Sequence, residues 1–94
     1  MYVIVVTETE IFDDVPDRYF SMRAYGPFEN DETAKKIMDE EVKKKVRESK
    51  REGTFSKVIE KLFGNAVVVE TFTKSGRAEK IDTEFRYVAV VPKH

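Results

Sequence analysis

The chain has no cysteine, and its one histidine is the last residue, His94. Without cysteine, disulfide bonds, thiolate nucleophiles and cysteine-type zinc or iron–sulfur sites are excluded. A histidine at a chain end is poorly held and makes a poor general base. The sequence also contains no G-x-S-x-G elbow and no glycine-rich loop of the kinds that cradle phosphates. We therefore expect a protein that is not an enzyme, with no cofactor and no metal site.

Long apolar runs are missing as well. The longest one near the N-terminus is VIVV, residues 3–6, which is too short for a signal peptide or a membrane span and predicts a cytoplasmic protein. What the sequence does have is charge, since 37% of its residues are charged while 40% are hydrophobic. That combination is typical of a small apolar core under an ionic surface. It predicts one folded domain over residues 1–94.

Apolar periodicity predicts both strands and helices. Four segments have the alternating or continuous apolar pattern of strands, namely residues 2–9, 18–25, 66–73 and 83–91. Strong helix formers predict a first helix over residues 32–52. A second helix is predicted over residues 54–63, where apolar residues recur at i, i+3, i+4, i+7 and i+8. The order β-β-α-α-β-β predicts an α+β fold, a two-layer sandwich in which two helices cover one face of a four-stranded, mainly antiparallel sheet.

Two helices on one side leave the reverse of such a sheet without a cover. Alternation assigns Ile4, Val6, Phe20 and Met22 to the face under the helices. The reverse face then carries Val3, Val5, Tyr19, Tyr25, Val88 and Val90. Burying a side chain the size of valine is worth about 1.5–3 kcal/mol, and contiguous exposed apolar patches mark interfaces. We expect this face, or an unpaired edge strand, to bind a protein partner or a second copy in a homodimer, unless the first helix and segment 10–17 shield it.

The stretch TETEIFDDVPDRYF, residues 7–20, concentrates five carboxylates around Ile11 and Phe12. Its spacing lacks the D-x-D-x-D-G pattern of a calcium loop, so a solvated loop is favoured over a metal site. Carboxylates around apolar side chains can also dock on a basic, partly apolar partner. The predicted partner-binding residues are Glu10, Phe12, Asp13, Asp14, Asp17, Tyr19, Arg23 and Tyr25.

Two alternatives concern the predicted helices. The run KKKVRESKRE, residues 43–52, is basic, and a nucleic-acid-binding protein would use the residues that align at helical spacing. These are Lys36, Lys43, Arg47 and Lys50. Interleaved glutamates and the absence of aromatic residues favour a salt-bridged, exposed helix face instead. The second alternative is a small nucleotide ligand bound at a helix N-terminus near residues 30–33 or 54–56.

The first half of the chain also carries a resemblance. An apolar first strand, a second strand ending in YGPF (residues 25–28) and the segment ETAKKIMDEEV (residues 32–42) resemble small uncharacterised α/β accessory proteins of phages and prophages, over residues 1–46. The resemblance implies a mode of action in which the protein binds a host protein, for instance of a defence system, and alters or blocks it. The leading prediction is therefore a non-enzymatic, stoichiometric protein-binding modulator or inhibitor.

Overall fold

The computed structural model describes residues 1–12, 15–52, 55–73 and 80–91, without the side chains of residues 15–20, 52, 55 and 56. It contains a five-stranded sheet and one helix. The elements are β1 (Tyr2–Phe12), β2 (Val15–Phe28), α1 (Asp31–Glu52), β3 (Phe55–Phe63), β4 (Ala66–Thr73) and β5 (Lys80–Ala89). The strand order is β2-β1-β5-β4-β3, and neighbouring strands are antiparallel. The predicted four-stranded sheet with two helices is therefore wrong.

The difference arises at β3, where the second helix was predicted. Its apolar residues fit a helical period, but they also alternate, since Val58 and Leu62 share one side and Ile59 and Phe63 the other. β-Branched and aromatic residues favour the pleated conformation. Phe63 pairs with Ala66, so Gly64-Asn65 forms a two-residue hairpin loop, with Gly64 at a φ of 57°. This Gly-Asn pair, which directly follows the predicted helix, turns the chain into β4.

The first two strands are longer than predicted. They continue into the acidic segment, where Glu10 pairs with Arg18 and Ile11 with Pro16, so the described part of this segment is strand and not a solvated loop. The pairing with β1 is irregular between Glu8 and Thr9 and again between Glu10 and Ile11. Proline is tolerated in β2 because this strand is at an edge of the sheet.

Helix α1 begins at a cap, since the Thr33 backbone N–H donates a hydrogen bond to Asn30 Oδ1 at 2.9 Å. It packs on one face of the sheet and closes a single core. The buried core residues are Ile4, Val6, Met38, Val42, Val67, Val69 and Phe85. No helix within the described ranges combines the length and the apolarity that a membrane crossing needs.

The predicted faces of Met22 and Tyr25 in β2 are reversed. Tyr25 was expected on the reverse face, but it pairs with Ile4 and packs against the core under α1. Met22 was expected under the helices, but it pairs with Thr7 and is 71% exposed. Residues directly opposite each other in antiparallel strands share a face, and a one-residue shift moves a side chain to the other face. The pattern of alternating residues in β2 does not by itself show which residue of β1 each of them pairs with.

Candidate protein-binding surface

The sheet face opposite α1, here called the open face, is covered by no other element in the part of the chain that the structure describes. Its members follow from the strand pairing, because opposite residues share a face. From edge to edge, the open face carries Met22 and Ala24 of β2, Val3, Val5, Thr7, Thr9 and Ile11 of β1, Lys80, Asp82, Glu84, Arg86 and Val88 of β5, Ala66, Val68, Glu70 and Phe72 of β4, and Lys57, Ile59, Lys61 and Phe63 of β3. The face under α1 is called the covered face.

One end of the open face is apolar. It forms an apolar strip that consists of Val3, Val5, Ala24, Phe63 and Val88. Val3 and Val88 are paired and half-buried, while Phe63 at the β3 edge is 58% exposed. At the same end of the sheet Val90 donates a backbone hydrogen bond to the Met1 carbonyl at 2.7 Å, and both side chains are exposed. The strip is the kind of surface that partner proteins cover.

The other end of the open face carries charges around a buried carboxylate. The Glu70 side chain is only 4% exposed, Lys61 Nζ lies 2.8 Å from its Oε1, and Lys80 Nζ donates a hydrogen bond to its Oε2. Burial alone would raise the pKa of Glu70, but contact with the two ammonium groups outweighs it and lowers the pKa below the usual 4.5. Glu70 is therefore ionised, and its negative charge is balanced by the two lysines. These contacts link β4 to β3 and to β5.

Asp82 lies opposite Glu70 on β5, and its pKa is shifted in the opposite direction. Burial raises its pKa above the usual 3.8; Lys80, whose Nζ is 3.8 Å from Oδ1, opposes the shift, and the charge of Glu70 adds to it. Asp82 and Glu84 border a cavity of about 350 Å³. The cavity is lined by Thr7, Thr9, Ile11, Met22, Val68, Asp82 and Glu84. Glu70 is not among the lining residues, so the two carboxylates with opposite pKa shifts do not face one ligand space together.

Within the described ranges, no group of three or more His, Cys, Asp or Glu side chains is arranged to hold a metal ion. Glu84 instead accepts from Arg86, whose Nε lies 3.2 Å from Oε1. The open face thus has an apolar end and an ion-paired end.

The structure places the eight predicted partner-binding residues in separate regions. Arg23 Nε donates to Tyr25 Oη at 2.6 Å, with the guanidinium 5.7 Å from the ring centroid. This pair borders a cavity of about 370 Å³ between β2 and α1, on the covered face. Glu10 lies four residues beyond Val6, the β1 partner of Arg23, which is about 13 Å along the strand at about 3.3 Å per residue.

The remaining predicted residues of that set are described only in part. Phe12 ends β1 and is half-buried. Asp17 and Tyr19 lie in β2, but their side chains are not among the described ones, and Asp13 and Asp14 lie outside the described residues. The acidic and aromatic groups predicted to act together are therefore not shown as one surface.

The basic residues predicted for nucleic-acid binding are all exposed on α1. Acids interrupt them, since Lys36 and Lys43 share one shallow cavity of about 430 Å³ with Glu32, Asp39 and Glu40. An uninterrupted basic face, which phosphate binding needs, is not present on this part of the helix.

The structure also bears on the two positions that were predicted to bind a nucleotide. Near residues 30–33 the Thr33 amide is already bonded to Asn30. Near residues 54–56 the prediction of a helix N-terminus is wrong, because β3 begins at Phe55, and Thr54 lies outside the described residues.

Sequence reasoning missed the functional features of β3 and the Glu70 cluster. The signal for the cluster is in the sequence, because Lys80, Asp82, Glu84 and Arg86 alternate along one strand and must share a face. What pairs with them could be known only from the strand order. For β3 the signal was the Gly-Asn loop that follows it.

Comparisons with known proteins do not assign a function to this surface. No protein family, no curated protein and no solved structure matches the chain. The function must therefore be inferred from the molecule's own surfaces, and the resemblance to phage-type accessory proteins stays a prediction.

Proposed function

We propose that this protein acts by stoichiometric binding of a partner protein, through the apolar strip of the open face and the adjoining edge of β3, and not by catalytic turnover. The observation that carries the proposal is the one-sided fold: one helix covers one face, and the described residues supply nothing over the other. A partner would add a layer over the face that α1 leaves uncovered.

The composition of the open face supports this role. Protein interfaces combine an apolar centre with a polar rim, and arginine and aromatic residues are enriched in them. Val5 of the strip pairs with Arg86, and Ala66 of β4 separates Arg86 from the exposed Phe63 at the β3 edge. Covering an exposed side chain the size of phenylalanine is worth about 1.5–3 kcal/mol. The charged end, with Asp82 and Glu84, supplies the rim that fixes orientation.

The resemblance of residues 1–46 adds a host protein as the proposed partner and inhibition or modulation as the proposed effect. The nucleic-acid alternative has weaker support, because acids share the α1 surface with the basic residues. The homodimer predicted from the sequence is a competing occupant of the same surface, and the experiment separates all three.

The test is capture of partners from lysate, both untreated and treated with nuclease, by three forms of the tagged protein, followed by calorimetry with the purified partner. Phe63→Asp places a charge in the apolar strip at an already exposed position, whereas Lys43→Glu with Arg47→Glu reverses charge on α1. We expect the wild type and the α1 variant to bind one partner at a fixed stoichiometry, and Phe63→Asp to lose at least about tenfold in affinity, which is about 1.4 kcal/mol. Circular dichroism confirms that all three are folded.

Two other outcomes would contradict this proposal. Capture that survives Phe63→Asp but disappears with the α1 variant or with nuclease would transfer the function to nucleic acid. A dimer in sedimentation that Phe63→Asp dissociates, with no other protein bound by the wild type, would show that the surface serves self-association.

A further inference from the structure

The two edges of the sheet differ in how well they can accept another strand. An edge strand presents unpaired N–H and C=O groups, and proteins protect such edges with proline, bulges and charge. The β2 edge contains Pro16 and Pro27, and its pairing with β1 is irregular in three places. The β3 edge contains no proline, and its pairing with β4 is regular from Lys57 to Phe63.

The β3 edge also keeps large apolar side chains in water. Leu62 is 77% exposed and Phe63 is 58% exposed. They are consecutive in the strand, so they point to opposite faces, and one added strand would contact both. Extended peptides add to exposed edges in this way, with backbone hydrogen bonds supplying affinity and alternate side chains supplying specificity.

The charges along β3 indicate the chemistry of the added strand. On the open face β3 presents Lys57, Ile59, Lys61 and Phe63 in alternation. Lys57 is exposed, with its Nζ 5.6 Å from the centroid of the Phe72 ring. Lys61 is half exposed although it contacts Glu70, and an ammonium group has three protons to donate. A strand with carboxylates opposite the two lysines and apolar side chains opposite Ile59 and Phe63 would match this pattern.

A second copy of the chain matches it poorly. Two antiparallel β3 strands related by a two-fold axis pair about one central residue. With the centre at Ile59, Lys57 lies opposite Lys61 of the second copy; with the centre at Glu60 or Lys61, that residue lies opposite itself. Like charges directly opposite each other destabilise a strand pair. A centre at Val58 leaves Leu62 and Phe63 outside the pairing, and a centre at Leu62 pairs only the end of the strand.

From this edge we propose that β3 binds an extended acidic segment of a partner protein as a sixth, antiparallel strand, with carboxylates facing Lys57 and Lys61. The inference rests on the proposed protein-binding function and names the partner's chemistry. The partner segment alternates acidic and apolar residues on the side that continues the open face.

Synthetic peptides test this directly by fluorescence anisotropy at low salt. The probe is the seven-residue peptide VTEKVTE, whose glutamates fall opposite Lys61 and Lys57 when its first residue faces Phe63. The charge-reversed control is VTKKVTK, and a third peptide keeps the first sequence but is N-methylated on the amides that would pair with β3. We expect the wild type to bind the acidic peptide about tenfold more tightly than the reversed one, as expected for two opposite-charge pairs replaced by like-charge pairs. The methylated peptide should not bind.

A protein variant gives the reciprocal measurement. Lys57→Glu changes an exposed residue, so the fold should be kept, and it should weaken the acidic peptide while strengthening the reversed one. Lys43→Glu on α1 makes the same change of net charge and should leave the preference unaltered. Equal binding of the two unmodified peptides, binding of the methylated peptide, or no effect of Lys57→Glu would overturn the inference.

The two proposals fail separately. If no peptide binds while capture of a whole partner still depends on Phe63, the protein-binding function stands and the added strand is wrong. If the wild type sediments as a dimer that the acidic peptide does not dissociate, the β3 edge belongs to a second copy.

Discussion

Strand β5 has two environments on alternate residues. Thr83 and Phe85 lie under α1 and are fully buried, whereas Glu84 and Arg86 lie on the open face and form an exposed ion pair. The backbone ladders on both sides of the strand are the same for both sets. The difference therefore lies only in what covers each face. We therefore expect the covered face to contribute most of the stability of the fold, and the open face to serve the proposed binding.

The largest expected effect tests that division on two neighbouring residues. Phe85→Ala removes a ring from the core and should lower the free energy of unfolding by about 3–5 kcal/mol, the usual range for a buried phenylalanine. Arg86→Ala should lower it by less than about 1 kcal/mol, since exposed ion pairs contribute little. Urea denaturation measures both, and Phe85→Leu gives the same ordering if the alanine variant is too unstable to fold. Equal losses for the two residues would mean that the open face is also part of the core.

A second effect, of intermediate size, concerns Glu70, a buried carboxylate on the open face. Glu70→Gln removes the charge that Lys61 and Lys80 contact and should lower the free energy of unfolding by about 1.5–3 kcal/mol, as for hydrogen bonds to charged groups. Glu84→Gln is the matched control on the same face, because its ion pair is exposed, and should lose less than about 1 kcal/mol. Similar losses for both would show that burial does not distinguish the two carboxylates.

The pH dependence of stability sharpens this prediction. The folded pKa of Glu70 is lowered below 4.5, so its ionisation stabilises the fold above about pH 4.5, and this contribution is lost as the pH falls through the folded pKa. Thermal denaturation between pH 3 and pH 7 should therefore show a smaller loss of stability on acidification in Glu70→Gln than in the wild type. An unchanged acid profile would contradict the role of the two lysines.

These differences also show how much of the fold could be predicted from the sequence. Helix α1 and the existence of four strands follow from composition and periodicity, and they are found close to the predicted ranges. Residues 55–63 could not be assigned in the same way, because their apolar positions fit a helix and a strand equally well. The loop Gly64-Asn65 favours a hairpin, because it connects this segment to β4, the strand with which the segment pairs.

The candidate site was predictable only in outline. The count of predicted elements already left one sheet face without a cover, and the structure shows none over it within the ranges that it describes, although a strand stands where the second helix was counted. Which residues lie on that face depends on register, and the pairing with Ile4 and Thr7 places Tyr25 on the covered face and Met22 on the open one. The contact of Glu70 with Lys80 joins two strands, and the alternation within either strand does not reveal it.

The smallest expected effect has the opposite sign and separates Asp82 from Glu70. Burial raises the pKa of Asp82 above 3.8, so the folded state binds its proton more tightly than the unfolded state does. The ionised form is therefore slightly unfavourable at neutral pH, and that penalty disappears as the pH falls through the folded pKa. Asp82→Asn should leave stability at pH 7 unchanged or raise it by less than about 1 kcal/mol, because solvent reaches part of the side chain. It should also steepen the loss on acidification relative to the wild type, measured in the same thermal series, since the favourable protonation is gone. A destabilised Asp82→Asn at pH 7 would mean that the contact with Lys80 outweighs burial, and that the open face is held by both carboxylates alike.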